Sequence, residues 1–214
     1  MKVSEIFYSI EGEGIEIGRP EIFIRLAGCN LRCTWCDTKY AWNNGKDMSI
    51  DEIITEVIRY RCKNISITGG EPLLQKEEIL ELIQQLKTMD YWLQLNTNGT
   101  IFDQRIFELV DLVSMDCKCP SSETESDYET LRRTRKSFNS KTQFKFVISN
   151  RKDYEFARKI VSSFLLGASH VIFQPEWNSR RFARKLVDWV KEDNLKVRIV
   201  LQQQKIIWDV KKGV

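Results

Sequence analysis

The sequence predicts an α/β fold in which parallel strands curl into a partial (β/α)6 barrel, and three observations lead to this prediction. Short apolar runs rich in β-branched and aromatic residues alternate with helical patterns along the chain. Several runs are almost continuously apolar, which is typical of parallel strands covered by helices. Polar or glycine-rich residues follow most of the runs, and parallel α/β sheets bind their ligands at those strand ends.

Eight apolar runs predict the strands of the sheet. In chain order they cover residues 2–8, 21–26, 64–68, 92–96, 112–116, 143–148, 171–174 and 196–201. Because helical patterns separate most of the runs, we expect right-handed crossovers between strands that lie parallel in one sheet.

Helices are predicted between the strands from capping and periodicity. Ser49 and Glu52 form a capping-box pattern in front of Ile53 and Val57, so a helix is expected to begin there. Further helices, partly reduced in length, are expected over 76–89, 153–165 and 180–193. The polar link 120–142 holds little to bury, and we predict a solvated loop with a short helix for it.

Size and composition limit the possible functions. The 214 residues are enough for one well-packed domain, which we expect over 1–214. A net charge of +3, from 33 basic and 30 acidic side chains, gives no electrostatic footprint for nucleic acid or a membrane surface. No apolar run approaches the roughly 18–20 residues of a spanning helix, and the first residues lack an apolar signal core. We therefore expect a cytoplasmic protein.

Three cysteines are the most informative feature of the chain. Cys29, Cys33 and Cys36 form a CxxxCxxC array directly after the run 21–26. Three thiolates in one loop can hold three irons of a cubane iron–sulfur cluster, and the fourth iron stays open because no fourth cysteine follows at ligand spacing. An open iron is a reaction site. From spacing alone a zinc loop is the alternative, although a structural zinc site closes its tetrahedron with protein ligands.

The other cysteines and the single histidine carry weaker signals. Cys62 is expected to be a small buried residue. Cys117 and Cys119 leave a second metal site open, but a metal-free strand end is favoured because no further cysteine or histidine lies near them in sequence. His170 begins a predicted strand, where a structural role is favoured and a zinc ligand stays open. A reducing compartment suits these thiols better than disulfides do.

A second motif supports the cluster interpretation. The stretch Thr68-Gly69-Gly70-Glu71-Pro72 follows a predicted strand, and its two glycines let the backbone approach a ligand closely. Together with the cysteine array, it resembles the GGEP element of the radical S-adenosylmethionine (SAM) enzymes. In that superfamily the open iron chelates SAM, whose reductive cleavage gives an adenosyl radical that takes hydrogen from substrate.

The N-terminal segment narrows the resemblance. Phe7-Tyr-Ser-Ile-Glu-Gly-Glu-Gly14 and Gly18-Arg-Pro20 lead into the cysteine loop, which ends at Trp35-Cys-Asp-Thr38. This ordered set closely resembles the 7-carboxy-7-deazaguanine synthases, and the likeness extends over most of the chain. The fold it implies is a radical SAM domain.

The resemblance implies a reaction, cofactors and partners. The family converts 6-carboxy-5,6,7,8-tetrahydropterin to 7-carboxy-7-deazaguanine with loss of ammonia, a lyase reaction by radical ring contraction on the route to queuosine and archaeosine. It uses a 4Fe-4S cluster, Mg2+ and SAM, which is regenerated. Its members are typically homodimers, and the expected electron donor is a flavodoxin or ferredoxin. Neither nucleic acid nor a membrane is an expected partner.

The resemblance also implies site residues by position. The residues implied to bind SAM are Trp35, Cys36, Asp37, Gly70, Cys117, Lys118, Cys119, Gln174, Pro175, Glu176 and Trp177. Those implied to contact substrate are Ile10, Glu11, Gly12, Arg25 and Thr68, and Thr38 matches a magnesium-contacting threonine. No side chain is assigned a catalytic acid or base role. Chemistry supports some of these roles, since the fork of Arg25 suits a carboxylate and Glu11 and Glu13 can accept hydrogen bonds from pterin N–H groups.

Three positions depart from the family pattern. Glu11 stands where glutamine is common, Asn96 where glutamate is common, and Gln204 where histidine is common. The glutamate at position 11 is expected to alter the charge at the pterin edge, and the roles of Asn96 and Gln204 are open.

Two other functions stay open from the sequence. A glycyl-radical activating enzyme has the same cysteine spacing but acts on a protein, and it does not require the loop 10–14 to face the cysteines. A non-enzymatic interaction module would use Cys29, Cys33 and Cys36 to bind zinc.

Overall fold

One nine-stranded sheet organises the protein, as seen in a computed structural model that describes residues 1–165, 170–209, 211 and 213. In chain order the strands are β1 (Lys2–Ile10), β2 (Pro20–Leu26), β3 (Lys46–Asp47), β4 (Asn64–Gly69), β5 (Trp92–Thr97), β6 (Leu112–Asp116), β7 (Thr142–Ile148), β8 (His170–Pro175) and β9 (Arg198–Ile199). Across the sheet they follow the order β3-β1-β2-β4-β5-β6-β7-β8-β9. β1 is antiparallel to β2 and β3, and every neighbouring pair from β2 to β9 is parallel.

Helices connect the parallel strands. They are α1 (Ile50–Val57), α2 (Lys76–Thr88), α3 (Gln104–Leu109), α4 (Tyr128–Phe138), α5 (Arg151–Ser163) and α6 (Ala183–Glu192), each lying between consecutive parallel strands, and α7 (Gln203–Trp208) after β9. Because β3 and β9 form the two edges of the sheet, the barrel is partial and not closed, which confirms the predicted fold class. Among the described residues, no helix is both long and apolar enough to span a membrane.

Strand alternation separates an apolar core from a polar inner face. Leu93 and Leu95 of β5 are fully buried in the hydrophobic core that includes residues of the connecting helices. Between and after them, Gln94 and Asn96 make polar contacts on the opposite face. Since successive side chains of a strand point to opposite faces, the same alternation along the neighbouring strands gives the barrel a polar interior.

The predicted start of the first helix is confirmed. The backbone N–H of Glu52 donates to Ser49 Oγ at 3.2 Å, and the N–H of Ser49 donates to Glu52 Oε2 at 2.7 Å. This reciprocal cap satisfies two donors that a helix start otherwise leaves free, and a cap of this kind contributes about 1 kcal/mol. As expected, α1 then buries Ile53 and Val57.

Most element predictions are confirmed to within a few residues. The strand over 112–116 has the predicted bounds, and α2 and α5 occupy the predicted segments 76–89 and 153–165. The last predicted strand, 196–201, is wrong in length, because only Arg198–Ile199 pairs with β8. This segment lies at the sheet edge, where Leu201 is 42% exposed, so burial does not hold the rest of the run in the ladder.

The link 120–142 is more ordered than predicted. The predicted helix is present as α4, which runs over 11 residues. Asp127 Oδ1 caps this helix by accepting hydrogen bonds from the N–H groups of Glu129 and Thr130. The helix also buries Leu131 and Phe138. The segment therefore packs on the hydrophobic core although its composition is mostly polar.

Candidate active site

The polar interior of the barrel encloses a cavity of about 450 Å³. At one end it is lined by the cysteine loop after β2 and by the glycine turn after β4. At the other end it is lined by residues 10–13 of the hairpin between β1 and β2. Because β1 is antiparallel to β2, this hairpin lies at the amino ends of the parallel strands and forms a floor opposite the cysteines.

All three cysteines of the CxxxCxxC array line this cavity. Backbone hydrogen bonds hold the loop, from Gly28 N–H to Ala41 O at 2.8 Å and from Cys36 N–H to Cys33 O at 3.2 Å. Burial raises the pKa of the Cys29 thiol, and the charges of Glu71, Cys33 and Cys36 raise it further. The three thiols therefore share one partly buried pocket.

Polar groups surround each cysteine sulfur. The N–H of Leu31 donates to Cys29 Sγ at 3.4 Å. Hydroxyl oxygens lie near the other two sulfurs, Thr124 at 3.5 Å from Cys33 and Thr38 at 3.6 Å from Cys36. Hydrogen bonds to the sulfurs are a normal part of the surroundings of an iron–sulfur cluster, so this donor set and its environment fit a cubane held by three thiolates.

The glycine turn packs directly on the cysteine loop. A Cβ atom on Gly70 would lie 2.2 Å from Gly28 O and 2.8 Å from Cys29 Cβ, so only glycine fits. The N–H of Glu71 donates to Gly28 O at 2.7 Å. The Glu71 carboxylate is fully buried and accepts hydrogen bonds from the N–H groups of Leu73 and Asn98 and from the Thr97 hydroxyl. Glu71 thus fixes the turn beside the cysteines and does not face the cavity itself.

A row of alternating charges runs through the barrel from the floor toward the cysteines. Lys145 Nζ lies 2.5 Å from Glu13 Oε2 and 3.3 Å from Asp116 Oδ1. Lys118 Nζ continues the row, 2.8 Å from Asp116 Oδ2, and lies over the Trp35 ring. Each carboxylate therefore has a lysine beside it in a site that is largely shielded from water.

The charges in this row set the protonation states of Glu13 and Lys145. Burial alone would raise the pKa of Glu13, but the Lys145 charge and hydrogen bonds from Lys145 and Gln202 lower it to about 2. Burial likewise works against the charge of Lys145, yet Asp116 and Glu13 raise its pKa above the ordinary value. The pair is fully ionised near neutral pH.

The pKa of Glu11 is shifted in the opposite direction from that of Glu13. Its Oε1 accepts a hydrogen bond from Glu13 N–H at 3.0 Å, and its Oε2 accepts one from Gln94 Nε2 at 2.7 Å. Burial, followed by the charges of Glu21 and Glu13, raises the pKa of Glu11 to about 8. The floor thus presents one ionised and one largely neutral carboxyl group, separated by one residue.

Arg25 lies on the wall of the cavity, in register with Thr68 of the neighbouring strand. Its Nε donates to Glu5 Oε1 at 2.7 Å, and the same oxygen accepts a hydrogen bond from the Tyr40 hydroxyl. No described residue accepts a hydrogen bond from the two terminal guanidinium nitrogens. The guanidinium is oriented by Glu5 and keeps its fork for a ligand.

The C-terminal region completes the floor. Gln202 Nε2 donates to Glu13 Oε1 at 2.7 Å, and the N–H of Gln203 donates to Gly12 O at 2.9 Å. Lys205 Nζ lies 2.5 Å from Asp37 Oδ2, which connects α7 to the end of the cysteine loop. Residues from both ends of the sequence therefore meet at one site.

The structure brings together most of the residues implied by the sequence. The cavity lining includes Ile10, Glu11, Gly12, Arg25, Cys29, Cys33, Trp35, Cys36, Asp37, Thr38, Thr68, Gly70 and Lys118. The expected SAM residues Cys117, Cys119, Gln174, Pro175, Glu176 and Trp177 are not part of this lining. The Glu176 carboxylate instead accepts hydrogen bonds from the N–H groups of Asn178 and Ser179.

Several residues of the barrel interior are not indicated by a sequence motif. Lys145, Ser114 and Gln94 lie in strands that only their apolar neighbours predict. A signal was present, since β6 and β7 alternate polar Ser114, Asp116 and Lys145 with buried apolar residues. A polar residue at every second position of a buried strand marks a polar lumen.

The other cysteines and the histidine lie apart from this cavity lining. Cys117 and Cys119 are buried, and burial raises the pKa of both thiols well above the ordinary value. Cys62 is buried as predicted, and its Sγ lies 3.3 Å from Pro20 O. His170 begins β8, as predicted. Within the described part of the chain, no three histidine, cysteine, aspartate or glutamate side chains are grouped so as to hold a single metal ion.

Comparisons with known proteins agree with this geometry. Residues 23–165 match the Radical SAM superfamily. The chain is 38% identical to the 7-carboxy-7-deazaguanine synthase of Koribacter versatilis, with both chains covered completely. It is 36% identical to the synthase of the same name from Methanospirillum hungatei, covering 97% of this chain and 85% of the relative.

Solved structures show the same fold. The crystal structure of QueE from Escherichia coli superposes with a TM-score of 0.73 at 24% identity, covering 94% of this chain and 93% of that one. Streptococcus suis SuiB bound to S-adenosylmethionine gives a TM-score of 0.56 at 13% identity, covering 81% of this chain and 48% of that one. From the superfamily match and the full-length identities together, the chain belongs to the 7-carboxy-7-deazaguanine synthase family of the radical SAM superfamily.

Proposed function

We propose that the chain is a 7-carboxy-7-deazaguanine synthase. It converts 6-carboxy-5,6,7,8-tetrahydropterin to 7-carboxy-7-deazaguanine with release of ammonia, in the biosynthesis of queuosine or archaeosine. One observation carries the proposal: the cysteine loop and the floor residues 10–13 line opposite ends of the same cavity. A synthase requires both elements to face one small substrate, whereas a glycyl-radical activating enzyme does not require the floor.

Cys29, Cys33 and Cys36 would hold the 4Fe-4S cluster, which together with bound SAM supplies the radical chemistry of the reaction. Trp35, Asp37, Gly70 and Lys118 are the proposed SAM contacts, because they line the cavity beside the cysteines. For Cys117, Cys119, Gln174, Pro175, Glu176 and Trp177, which end β6 and β8 or follow them, the proposed contribution is through the main chain.

The floor and wall are proposed to bind the pterin. The ionised Glu13 accepts hydrogen bonds from ring N–H or amino groups, while Glu11, with its raised pKa, can also donate one. The fork of Arg25 binds the substrate carboxylate bidentately, with Thr68 beside it in the neighbouring strand. Ile10 and Gly12 complete the floor. These groups are already held in position without substrate, which favours binding of the pterin in a single orientation.

Thr38 is proposed to contact Mg2+. Its hydroxyl is a hard oxygen donor that lies on the cavity wall next to the cysteine loop. Magnesium usually takes few protein ligands and completes its shell with water and substrate oxygens, so one threonine and the substrate carboxylate are a sufficient set. The remaining proposals are one domain over 1–214, a homodimeric enzyme, and a flavodoxin or ferredoxin as electron donor.

Anaerobic turnover tests the function directly. The purified protein is reconstituted with iron and sulfide, then supplied with dithionite, SAM, Mg2+ and 6-carboxytetrahydropterin, and the deazaguanine chromophore is recorded. We expect about four irons per chain and product formation without consumption of SAM. A fully loaded protein that leaves the pterin unchanged would overturn the proposal.

Cysteine variants provide matched controls. Cys29→Ala should lose the cluster and all turnover, because each thiolate holds one iron. Cys62→Ala removes a buried thiol that is remote from the cavity lining, so it should keep both iron and activity. One bound zinc in the active parent protein, in place of iron, would contradict the assignment.

A further inference from the structure

We propose that the hydroxyl of Thr124 raises the reduction potential of the cluster by donating a hydrogen bond to the sulfur of Cys33. We further propose that Asp153 is a positioning residue, which holds Thr124 there through residues 119–124, the β6 loop. The inference rests on the proposed function, since it concerns a cluster bound by the cysteine loop. It goes further by assigning roles to two residues that lie outside the sequence motifs.

Thr124 brings a hydroxyl to a ligand sulfur from a distant part of the chain. Its Oγ1 lies 3.5 Å from Cys33 Sγ, although the two residues are 91 positions apart. The donors nearest Cys29 and Cys36 belong instead to residues two positions after each cysteine. A cysteine that binds iron is a thiolate without a proton, so the hydroxyl must be the donor in the contact with Cys33. This donor depends on how the β6 loop is held.

The neighbouring serine leaves the proton of Thr124 available to the sulfur. Ser122 Oγ donates to Cys119 O at 2.7 Å, so it faces the Thr124 hydroxyl, 3.0 Å away, as an acceptor. The Thr124 proton can therefore go to Ser122 Oγ or to Cys33 Sγ. Hydrogen bonds to a charged acceptor are roughly twice as strong as neutral ones. We therefore expect the hydroxyl to point to Cys33 once this sulfur is a thiolate.

The backbone adopts an unusual conformation directly before Thr124. Glu123 has a φ of 56°, in the left-handed region that non-glycine residues rarely adopt. Such a conformation persists only where its surroundings fix it. Thr34 of the cysteine loop supplies part of this support, because its N–H donates to Ser122 O at 3.2 Å and its hydroxyl to Ser121 O at 2.6 Å. One side of the β6 loop is thus bound to the cysteine loop.

Asp153 binds the other side of the β6 loop. It is fully buried in the first turn of α5. Its Oδ1 accepts a hydrogen bond from Ser121 N–H at 3.0 Å, and its Oδ2 accepts one from the Ser121 hydroxyl at 2.5 Å. The same Oδ2 accepts hydrogen bonds from the N–H and the hydroxyl of Ser149, directly after β7, at 2.9 and 2.8 Å. Asp153 therefore fixes the β6 loop against the end of β7, and it acts on Cys33 through that loop.

A donor at this sulfur favours the reduced form of the cluster. Reduction adds negative charge that the thiolates share, so a hydrogen bond donated to a sulfur is stronger after reduction than before it. Hydrogen bonds to the sulfurs are among the factors that set the potential of an iron–sulfur cluster. Loss of the Thr124 hydroxyl should therefore make the cluster harder to reduce without removing any iron ligand.

A redox titration followed by electron paramagnetic resonance tests the role of Thr124. The reconstituted protein is titrated without SAM or substrate. Thr124→Val should keep the iron content of the parent but reduce less favourably by about tenfold, a shift of about 59 mV to lower potential for a one-electron couple. Thr124→Ser keeps a hydroxyl and should restore most of the potential. Thr134→Val is the matched control, because the buried Thr134 hydroxyl has no hydrogen-bond partner among the described residues.

Two variants test the positioning role of Asp153. Asp153→Asn and Ser121→Ala should both lower the potential, and in the metal-free protein both should speed hydrogen exchange in the β6 loop. Ser149→Ala removes a hydroxyl that binds the same carboxylate from outside the β6 loop, so it should leave the potential unchanged. If Asp153→Asn does not fold or Thr124→Val does not load iron, Ser121→Ala decides the question, because its hydroxyl bonds to Asp153 and not to a cysteine.

The outcomes separate this inference from the proposed function. An unchanged potential in iron-loaded Thr124→Val or in Ser121→Ala, or an equal shift in Thr134→Val, would overturn the inference. A parent protein that binds four irons and shows the Thr124-dependent potential, yet leaves the pterin unchanged, would instead overturn the proposed function.

Discussion

The ammonium of Lys145 lies 2.5 Å from Glu13 Oε2, although the two residues are 132 positions apart in the sequence. This pair joins strand β7 to the hairpin at the floor of the barrel. Both side chains are more than three-quarters buried, so each charge depends on the other for stabilisation. The folded structure of the floor therefore depends on the charges of both Lys145 and Glu13.

Removing one charge of this pair should destabilise the protein strongly. Lys145→Met is expected to lower the free energy of unfolding by about 3–5 kcal/mol, because it leaves the Glu13 charge buried and unpaired. Urea unfolding at pH 7 measures this change. Adding Glu13→Gln should recover much of the loss, and Lys159→Met on the exposed side of α5 should stay within about 0.5 kcal/mol of the parent. Equal stability of all variants would contradict the coupling.

Glu11 should make the unliganded protein less stable as the pH rises from about 4.5 to about 8. Its pKa is about 8 in the folded protein, above the ordinary value of 4.5, so the folded state holds a proton that the unfolded state releases in this window. The free energy of unfolding then falls by up to about 1.4 kcal/mol per pH unit.

The Glu11→Gln variant isolates this effect. Its stability should decline less between pH 5 and pH 8 than that of the parent protein, as measured by urea unfolding at several pH values. Glu21, whose pKa burial raises to about 7, contributes a slope of the same sign in both proteins. Parallel stability curves for parent and variant would show that Glu11 is ionised in the folded state.

We expect Glu71 to support SAM binding indirectly, by holding the glycine turn in position. Its carboxylate accepts three hydrogen bonds that fix the glycine turn to the end of β5. In Glu71→Gln one oxygen becomes an NH2 group facing a donor, at a cost of about 1–3 kcal/mol in stability. Calorimetric titration with SAM should show weaker binding to this variant, whereas Glu78→Gln on the exposed side of α2 should bind normally. Normal SAM affinity in Glu71→Gln would argue against a positioning role.

Thr38 should determine the response to magnesium and not the iron content. Thr38→Ala is expected to weaken the apparent Mg2+ affinity in turnover by about tenfold or more, because the hydroxyl ligand is gone. Iron content should remain that of the parent protein, and Thr38→Ser should restore the magnesium dependence. A magnesium dependence that Thr38→Ala leaves unchanged would rule out the assignment.

The sequence predicts the parallel strands well because their buried apolar residues leave a direct mark. The run Leu112–Asp116 contains the buried Leu112, Val113 and Met115 and is found with its predicted bounds. Helix α4 is harder to predict, since two of its four buried residues are Thr130 and Thr134. Because threonine is polar, these two positions do not add to an apolar helical pattern. The sequence of α4 therefore looks like that of an exposed loop.

The site is predictable only in part for a different reason. The cysteine loop and the glycine turn are local motifs, and their spacing alone indicates their chemistry. The floor contacts are non-local: Glu13 meets Gln202 across 189 positions and Lys145 across 132. Such contacts depend on the register and order of strands across the whole sheet, which no local pattern specifies.

The meeting of the hairpin floor with residues near α7 has a consequence for biogenesis. Gln202 is synthesised long after Glu13, so a nascent chain that has made every cysteine ligand still lacks the base of its reaction chamber. Contacts between residues so far apart in sequence are among the slow events of folding, because loop closure precedes any gain from the contact. We therefore expect the hairpin floor to become fully ordered only after the C-terminal residues that contact it have been synthesised.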